Sequence, residues 1–287
     1  MFSRFSAHPS SPSATTSARL SRCFATTADG RIPLTLDWPR HFQRLGEEPR
    51  LALQTRHARA RLISLGPFPV GDTISGDFQR PDCRLRFHYH NWSNVWAQLS
   101  PCDCCGSPGR IDFINTHGAE FMQVCAAPDA PAIAWALLLG TLAERTPAEL
   151  PELPAAPFSS YELPRLPRRA WALEASPAAI SEFLQQLGAD PQPVTVCLHT
   201  GDVFHHRVFV PAAVSCDPHL LQAGDRRTTV QLAHHNALHP HLEASTRGLW
   251  LHLADATGSI LLSLGPGDAE GPARAAWDHT LHQRFNL

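Results

Sequence analysis

The sequence contains no lysine, so all 24 residues of its basic complement are arginines in a chain of 287 residues. This absence excludes enzymes that form a Schiff base on a lysine side chain. No apolar run approaches the roughly 20 residues that a membrane-spanning helix needs. The formal net charge is −2, which does not indicate a basic surface for phosphate backbones. We therefore expect neither membrane insertion nor binding of nucleic acid.

Common catalytic and nucleotide-binding motifs are also missing. The sequence has no GxSxG nucleophile elbow, no GxxxxGK[ST] phosphate loop, no GxGxxG and no HExxH. Paired carboxylates suited to glycosidic acid–base chemistry are not recognisable either, since Glu47 and Glu48 lie in a predicted turn. Nothing here predicts a hydrolase, a nucleotide-binding enzyme or a zinc protease.

Histidine and cysteine are present in larger numbers, with 17 and 8 residues. Histidine is a common ligand of metals and of haem. An even number of cysteines could form disulfides, but no secretory hydrophobic segment precedes them. A chain of this size also does not need disulfide bonds for a stable fold. We therefore expect mostly reduced thiols and a cytoplasmic protein.

The clustered cysteines and histidines do not by themselves predict a metal site. The run Cys102–Cys105 has the spacing CxCC and no matching second pair nearby, which favours a loop without metal over a zinc or copper site. The pairs His205-His206 and His234-His235 cannot chelate jointly on a regular strand, because adjacent side chains point to opposite faces.

The first residues differ in composition from the rest. Met1–Thr27 contains three arginines, many serines and threonines and no acidic residue, which resembles an organellar transit peptide. The alternative is a disordered bacterial tail at residues 1–32, or a start codon assigned too far upstream. We prefer this alternative, because the abundance of alanine, proline, arginine and glycine is typical of a GC-rich bacterial genome.

The remaining chain contains two diverged copies of one module. Each copy begins with a helix that ends in a related sequence, at Phe42–Gly46 and Phe183–Gly188, and an apolar strand follows. Each continues with an alternating hairpin around a glycine turn, at Arg110–Gly118 and Leu249–Gly258. Each closes with a helix that carries a tryptophan.

This order predicts an α+β fold made of two tandem pseudo-repeats, each a large antiparallel β-sheet with flanking helices. Residues 33–146 form the first repeat and residues 171–287 the second, which is more diverged. Residues 147–170 are rich in proline and are predicted to be a semi-rigid linker.

The segment Arg84–His90 is predicted to be a strand, because its residues alternate in polarity. Arg84, Arg86, His88 and His90 would then share one face, with the two imidazoles about 7 Å apart. Such a row of side chains could contact a cofactor, hold a metal ion or face water.

Several of these segments resemble the HemS/ChuS/HmuS family of bacterial haem-handling proteins. Arg84–Trp92 matches the family's strand Asp-Leu-Arg-Leu-Phe-Leu-x-x-Trp, and Arg110–Gly118 resembles the hairpin that follows it. Asp37–Gly66 is similar to the family's opening segment, and His199–Val203 resembles its second repeat. The resemblance covers residues 33–145 well and the second repeat more weakly.

The resemblance implies a cytoplasmic protein of two repeated halves that binds haem between them. Arg86 corresponds to the family's distal haem-contacting arginine. The family's proximal histidine is absent, since Ala178–Phe183 contains no imidazole, and Ser263 stands in the region of a family tyrosine. His88 and His90 are therefore the candidate replacement ligands.

The expected function is haem binding in haem or iron uptake, trafficking or utilisation. Haem is the expected cofactor, and proteins that donate or accept haem are the expected partners. One alternative is a haem-degrading enzyme. The other is a non-haem interaction or regulatory module that kept the fold.

Overall fold

The structure is a computed structural model. It describes residues 24, 30–57, 59–100, 106–143, 163–174, 177–189, 191–217, 219–233, 237–268, 270–285 and 287. Most of the predicted tail and of the predicted linker lies outside these residues. In the described part of the chain, no helix is long and apolar enough to cross a membrane.

The helices lie where the repeat pattern predicts them. They are α1 (Trp38–Gly46), α2 (Ala132–Leu142), α3 (Pro177–Ala189) and α4 (Pro272–Phe285). At the start of α1, the Asp37 carboxylate accepts a hydrogen bond of 3.2 Å from the Arg40 backbone N–H. This is the usual way in which an aspartate satisfies an orphan donor at a helix N-terminus.

The strands are short and numerous. In chain order they are β1 (Ile32–Pro33), β2 (Leu51–Arg56), β3 (Ala60–Gly66), β4 (Val70–Asp72), β5 (Asp77–Arg80), β6 (Cys83–Phe87), β7 (Trp92–Gln98), β8 (Arg110–Asn115), β9 (Glu120–Ala126), β10 (Trp171–Ala172), β11 (Val194–His199), β12 (Val203–Phe209), β13 (Ala213–Cys216), β14 (Leu220–Gly224), β15 (Thr228–Ala233), β16 (His239–Ser245), β17 (Gly248–Ala254) and β18 (Ile260–Pro266).

These strands form two nine-stranded antiparallel sheets. The order in sheet 1 is β1-β7-β8-β9-β2-β3-β15-β14-β13, and the order in sheet 2 is β10-β16-β17-β18-β11-β12-β6-β5-β4. Each position in one sheet is filled by the equivalent strand of the other repeat. The predicted α+β class, the two repeats and the large antiparallel sheets are confirmed.

The two repeats exchange three strands, which the sequence did not predict. The meander β4–β6 of the first repeat belongs to sheet 2, where β6 pairs with β12. The meander β13–β15 of the second repeat belongs to sheet 1, where β15 pairs with β3. Each sheet therefore contains strands of both repeats. The residue bounds assigned to the repeats stay a prediction.

The hairpin turns of the two repeats are built in the same way. The Asn115 side chain accepts hydrogen bonds from the backbone N–H groups of His117 and Ala119. The Asp255 side chain accepts the equivalent bonds from Thr257 and Ser259. Both turns also contain a glycine with φ near +80°, a conformation that glycine adopts without strain.

The chain divides into two compact units, each with a core of its own. Unit 1 comprises Met1–Gln54, Leu65–Phe78 and His88–Ser160, and unit 2 comprises Thr55–Ser64, Gln79–Phe87 and Tyr161–Leu287.

The core of unit 1 is aromatic. Phe42 of α1 lies at its centre, stacked on Phe113 of β8 at 6.1 Å between ring centroids and on Phe68 at 5.3 Å. Trp92 packs edge-on against Phe42 at 5.9 Å. Aromatic pairs at such distances stabilise a core beyond the burial of their area, and here they hold α1 on the sheet.

The core of unit 2 is mainly aliphatic. Leu62 of β3, Val196 of β11 and Phe183 of α3 are fully buried together. Trp277 of α4 packs edge-on against Phe183 at 5.4 Å, and its indole N–H donates to the Leu249 carbonyl at 2.7 Å. Buried tryptophans usually satisfy this donor, so Trp277 fixes α4 on β17.

Candidate functional site

The predicted strand Arg84–His90 is shorter than expected, because β6 ends at Phe87 and a 3₁₀ turn occupies Tyr89–Asn91. In unit 1, the Tyr89 hydroxyl donates to the Thr73 carbonyl at 3.1 Å, and the Tyr89 ring lies 6.0 Å from that of Phe42. These contacts belong to the turn and not to a continued strand. The prediction that His88 and His90 share a strand face with Arg86 is therefore wrong.

His88 and His90 nevertheless lie close to each other. Their ring centroids are 6.2 Å apart and their planes are inclined by 75°. His88 is half-buried and His90 is exposed. Arg86 is exposed on β6 in unit 2, as the alternation predicts.

The strands next to β6 place further histidines beside Arg86. On β12, Phe204 is directly opposite Arg86 and His206 is directly opposite Arg84. On β11, His199 is directly opposite Phe204. Directly opposed residues on neighbouring strands project to the same side, with Cβ atoms about 4.5–5.5 Å apart. We call this surface of unit 2, formed by Arg84, Arg86, His199, Phe204 and His206, the histidine face.

The histidine face lies on the side of sheet 2 opposite to the apolar core. Val196 and Leu198, which alternate with the outward residues of β11, belong to the core of unit 2. The Phe204 ring lies between the two imidazoles, 5.7 Å from His199 and 6.4 Å from His206. The face therefore combines guanidinium groups, imidazoles and one aromatic ring, all of them half-buried except the exposed Arg86.

The electrostatic surroundings keep His206 neutral. Burial lowers the pKa of His206, and the guanidinium groups of Arg247 and Arg84 lower it further. Cys197, directly opposite His206 on β11, has its pKa raised to about 12 by burial, although Arg247 acts in the opposite direction. At neutral pH the face therefore presents a neutral imidazole and positive guanidinium groups, while the buried Cys197 thiol beside it stays protonated.

A hydrogen-bonded row continues from Cys197 across the next strands. Ser263 of β18 is opposite Cys197, and His252 of β17 is opposite Ser263. The His252 Nε2 is 3.0 Å from the Glu243 carboxylate and its Nδ1 is 2.8 Å from the Ser263 hydroxyl. Because a carboxylate can only accept, Nε2 carries the proton and Nδ1 accepts from Ser263. Arg169 donates to the other oxygen of Glu243.

In this row, burial and hydrogen bonding act in opposite directions on the pKa values of Glu243 and His252. Burial would raise the pKa of Glu243, but hydrogen bonds from His252 and Arg169 hold it below its ordinary value. Burial lowers the pKa of His252, and Glu243 offsets this only in part. The row is thus satisfied internally and supports the sheet.

Sheet 1 has a similar row at the equivalent positions but different chemistry. The Gln123 amide donates to Asp112 at 2.8 Å, and the Gln54 amide donates to Gln123 at 2.7 Å. The strand registers place Ile63 where sheet 2 has His206, and Arg61 where it has Phe204. The described part of sheet 1 therefore offers no imidazole at these positions, and the histidine face is a property of sheet 2.

His205, the neighbour of His206 in the sequence, points into the core as the alternation predicts. Its Nδ1 is 2.8 Å from the Thr55 hydroxyl, and its Nε2 is 3.3 Å from the Ser64 hydroxyl. Burial lowers its pKa well below the ordinary value, with Arg207 adding to the effect. Both ring nitrogens have partners, so His205 is a structural residue.

Metal binding has no support in the described part of the chain, which contains no group of three or more histidine, cysteine, aspartate or glutamate residues that could hold an ion. The cysteine run Cys102–Cys105 and the pair His234-His235 lie outside the described residues.

Sequence reasoning missed the partners of Arg86. Alternation along β12 could have placed Phe204 and His206 on one face, as it separated His205 from His206. Nothing in the sequence showed that β6, from the first repeat, pairs with β12, from the second.

Comparison with known proteins identifies the fold. The structure of PhuS, a heme-binding protein of Pseudomonas aeruginosa, matches with a TM-score of 0.67, 16% identity, and coverage of 88% of this chain and 86% of that chain. The heme-degrading enzyme ChuS of Escherichia coli O157:H7 matches with a TM-score of 0.69, 17% identity, and coverage of 88% and 86%. No protein-family model and no curated protein sequence matches the chain. At these identities the likeness establishes the fold.

Proposed function

We propose that this chain binds haem on the histidine face of sheet 2, with Arg86 contacting a haem propionate. The observation that carries the proposal is the placement of Arg84 and Arg86 beside neutral imidazole on one face. Support comes from the fold, which the chain shares with PhuS, a heme-binding protein, and from the family resemblance of the strand that contains Arg86.

The side chains of the face fit the chemistry of haem. Arg84 and Arg86 alternate on one strand about 7 Å apart, and a guanidinium group can form a bidentate, charge-assisted pair with a carboxylate. The Phe204 ring offers an apolar surface for a planar macrocycle. Haem, when bound, would supply an iron that accepts an imidazole as axial ligand.

The ligands predicted from the sequence, His88 and His90, belong to unit 1 and stay a prediction. They lie in the turn that follows β6, with rings 6.2 Å apart. In this proposal the protein acts in the cytoplasm in haem or iron uptake, trafficking or utilisation, and exchanges haem with donor or acceptor proteins.

Titration of the purified protein with hemin tests the proposal, and we expect a saturable shift of the Soret band. Arg86→Gln places in β6 the residue that stands at the equivalent position in sheet 1, Gln231. It should weaken binding about tenfold to a hundredfold, because a charge-assisted hydrogen bond contributes about 1.5–3 kcal/mol. Arg61→Gln, on β3 of sheet 1, is the matched control and should bind hemin as the wild type does.

Hemin dimethyl ester separates the propionate contact from other effects. The ester has no carboxylates, so the wild type should bind it more weakly than hemin, and Arg86→Gln should cause no additional loss. A wild type that binds both compounds equally would contradict the assigned role of Arg86. Absence of any saturable Soret shift would instead favour the non-haem interaction module.

Haem degradation is a second candidate, because ChuS, which has the same fold, is a heme-degrading enzyme. Incubation of the haem complex with ascorbate tests it. Loss of the Soret band together with release of iron supports degradation, and a stable Soret band supports binding and transfer alone.

A further inference from the structure

We propose that His206 is the axial ligand of the haem iron, an inference that rests on the proposed haem binding. Neither the resemblance nor the fold assigns this residue, and it lies on a strand and not on the helix where the family places its histidine.

The first argument is position. His206 is directly opposite Arg84, and Phe204, two residues earlier on β12, is directly opposite Arg86. The four side chains therefore lie at the corners of a rectangle on adjacent strands, about 5 Å across the strands and about 7 Å along them. Arg84 and Arg86 would hold the propionates of a bound haem, and His206, on the neighbouring strand, would supply an imidazole for its iron.

The second argument is the hydrogen bonding of the ring. Among the described residues, the buried Nδ1 of His206 has no hydrogen-bond partner. Each of the four fully buried histidines is bonded to another residue through at least one ring nitrogen. His41 donates to the Thr35 carbonyl and His57 to the Leu261 carbonyl. The rings of His205 and His252 are each bonded through both nitrogens.

The buried Nδ1 of His41 also lacks a partner, but the ring of His41 is fixed through its Nε2. The half-buried ring of His206 has no hydrogen bond to another described residue. Because the Nδ1 of His206 is buried, an external ligand would bind through its Nε2.

The third argument is charge. Burial lowers the pKa of His206, and the guanidinium groups of Arg247 and Arg84 lower it further, so that its lone pair is retained at neutral pH, as iron ligation requires. The same guanidinium groups favour the negative charge of the propionates. The same positive charges therefore favour both a neutral imidazole for the iron and the binding of the propionates.

The fourth argument is asymmetry between the sheets. At the positions equivalent to His206, Arg84 and Arg86, sheet 1 has Ile63, Thr229 and Gln231. If these side chains served only to make the surface polar, we would expect similar side chains at the equivalent positions of sheet 1. The difference also supplies matched substitutions, since each residue can be replaced by its counterpart from a strand of the same geometry.

The experiment compares ferric haem complexes of the wild type, His206→Ile and His206→Ala by absorption, electron paramagnetic resonance and resonance Raman spectroscopy. We expect the wild type to show histidine ligation. His206→Ile should lose this signature and bind hemin about tenfold or more weakly. Added imidazole should restore the signature in His206→Ala. His88→Ala and His90→Ala test the alternative ligands, and His279→Ala, on the exposed surface of α4, is the control that should keep the wild-type spectra. Thermal unfolding of each apo variant confirms that it folds.

The two proposals fail in different ways. Wild-type spectra in His206→Ile, or a loss of histidine ligation in His88→Ala or His90→Ala instead, would overturn the assignment of His206 while haem binding stands. A wild-type complex without histidine ligation would overturn the assignment even if the His206 variants did not fold. A wild type that does not bind hemin would overturn both.

Discussion

Acid should unfold this protein at an unusually mild pH, because several of its histidines are buried in the neutral form. Burial lowers the pKa of His57 to about 4, although its hydrogen bond to the Leu261 carbonyl acts in the opposite direction. In the unfolded chain the pKa of a histidine is about 6.5. Between these two pH values the imidazole is protonated in the unfolded chain and neutral in the folded chain. The free energy of unfolding present at pH 7 is therefore lost as the pH falls from about 6.5 towards 4.

The size of the effect follows from the two pKa values. For a shift from about 6.5 to about 4, lowering the pH from about 7 to about 5 removes about 2 kcal/mol of the free energy of unfolding. Burial also lowers the pKa of His41 to about 4 and that of His205 well below its ordinary value. His57 and His41 together should remove about 4 kcal/mol, a large fraction of the stability of many domains, and His205 acts in the same direction.

The variant His57→Gln isolates one of these contributions. The glutamine amide can donate to the Leu261 carbonyl, which lies 2.8 Å from the imidazole Nε2, but it does not titrate. Urea unfolding at a series of pH values between about 7 and 5, followed by tryptophan fluorescence, should show the variant losing about 2 kcal/mol less than the wild type. His279→Gln, on the exposed surface of α4, is the matched control. Parallel stability curves for His57→Gln and the wild type would refute the reasoning.

Three further predictions concern stability alone. Leu62→Ala, at a fully buried position, should lower the free energy of unfolding by about 2–5 kcal/mol in chemical denaturation, and Leu137→Ala, at an exposed position, should change it little. Asp82→Ala should lower it by about 1–3 kcal/mol, because the carboxylate pairs at 2.8 Å with Arg207, which is 2% exposed; equal stability of variant and wild type would contradict this pairing. Asp37→Ala should lower the melting temperature through the loss of about 1 kcal/mol at the start of α1, and an unchanged melting temperature would show that the cap is not needed.

The parts of the fold that depend on local chemistry could be predicted from the sequence. The cap at Asp37 and the hairpin turns at Asn115 and Asp255 use hydrogen bonds between residues two to four positions apart. Such features leave a signature in a short stretch of sequence. The recurrence of the same order of elements then revealed the two repeats.

The strand exchange could not be predicted, because it depends on pairing between distant segments. The repeat shows that β3 and β12 are equivalent, and also that β6 and β15 are equivalent. Pairing of β6 with β3 or with β12 would satisfy the same alternation of side chains, so the pattern does not distinguish the two arrangements. The candidate site depended on this choice, since it decides which residue faces Arg86.

The end of β6 was mispredicted for a related reason. Alternation continues through Tyr89 in the sequence, but the Tyr89 hydroxyl bonds to the Thr73 carbonyl and its ring packs near Phe42. These tertiary contacts favour a turn over a longer strand, and strand propensity is weak enough to be overridden in this way.

The strand exchange bears on the evolutionary origin of the chain and on whether a separated half can bind a ligand. Arg84 and Arg86 come from the first repeat, whereas His199, Phe204 and His206 come from the second. A single repeat would leave β3 or β12 with an unpaired edge, and two identical copies could satisfy each other by trading their meanders. The chain thus has the topology of a domain-swapped dimer joined into one polypeptide. Binding on the histidine face would then require both repeats. Neither half, separated by proteolysis, should bind the ligand alone.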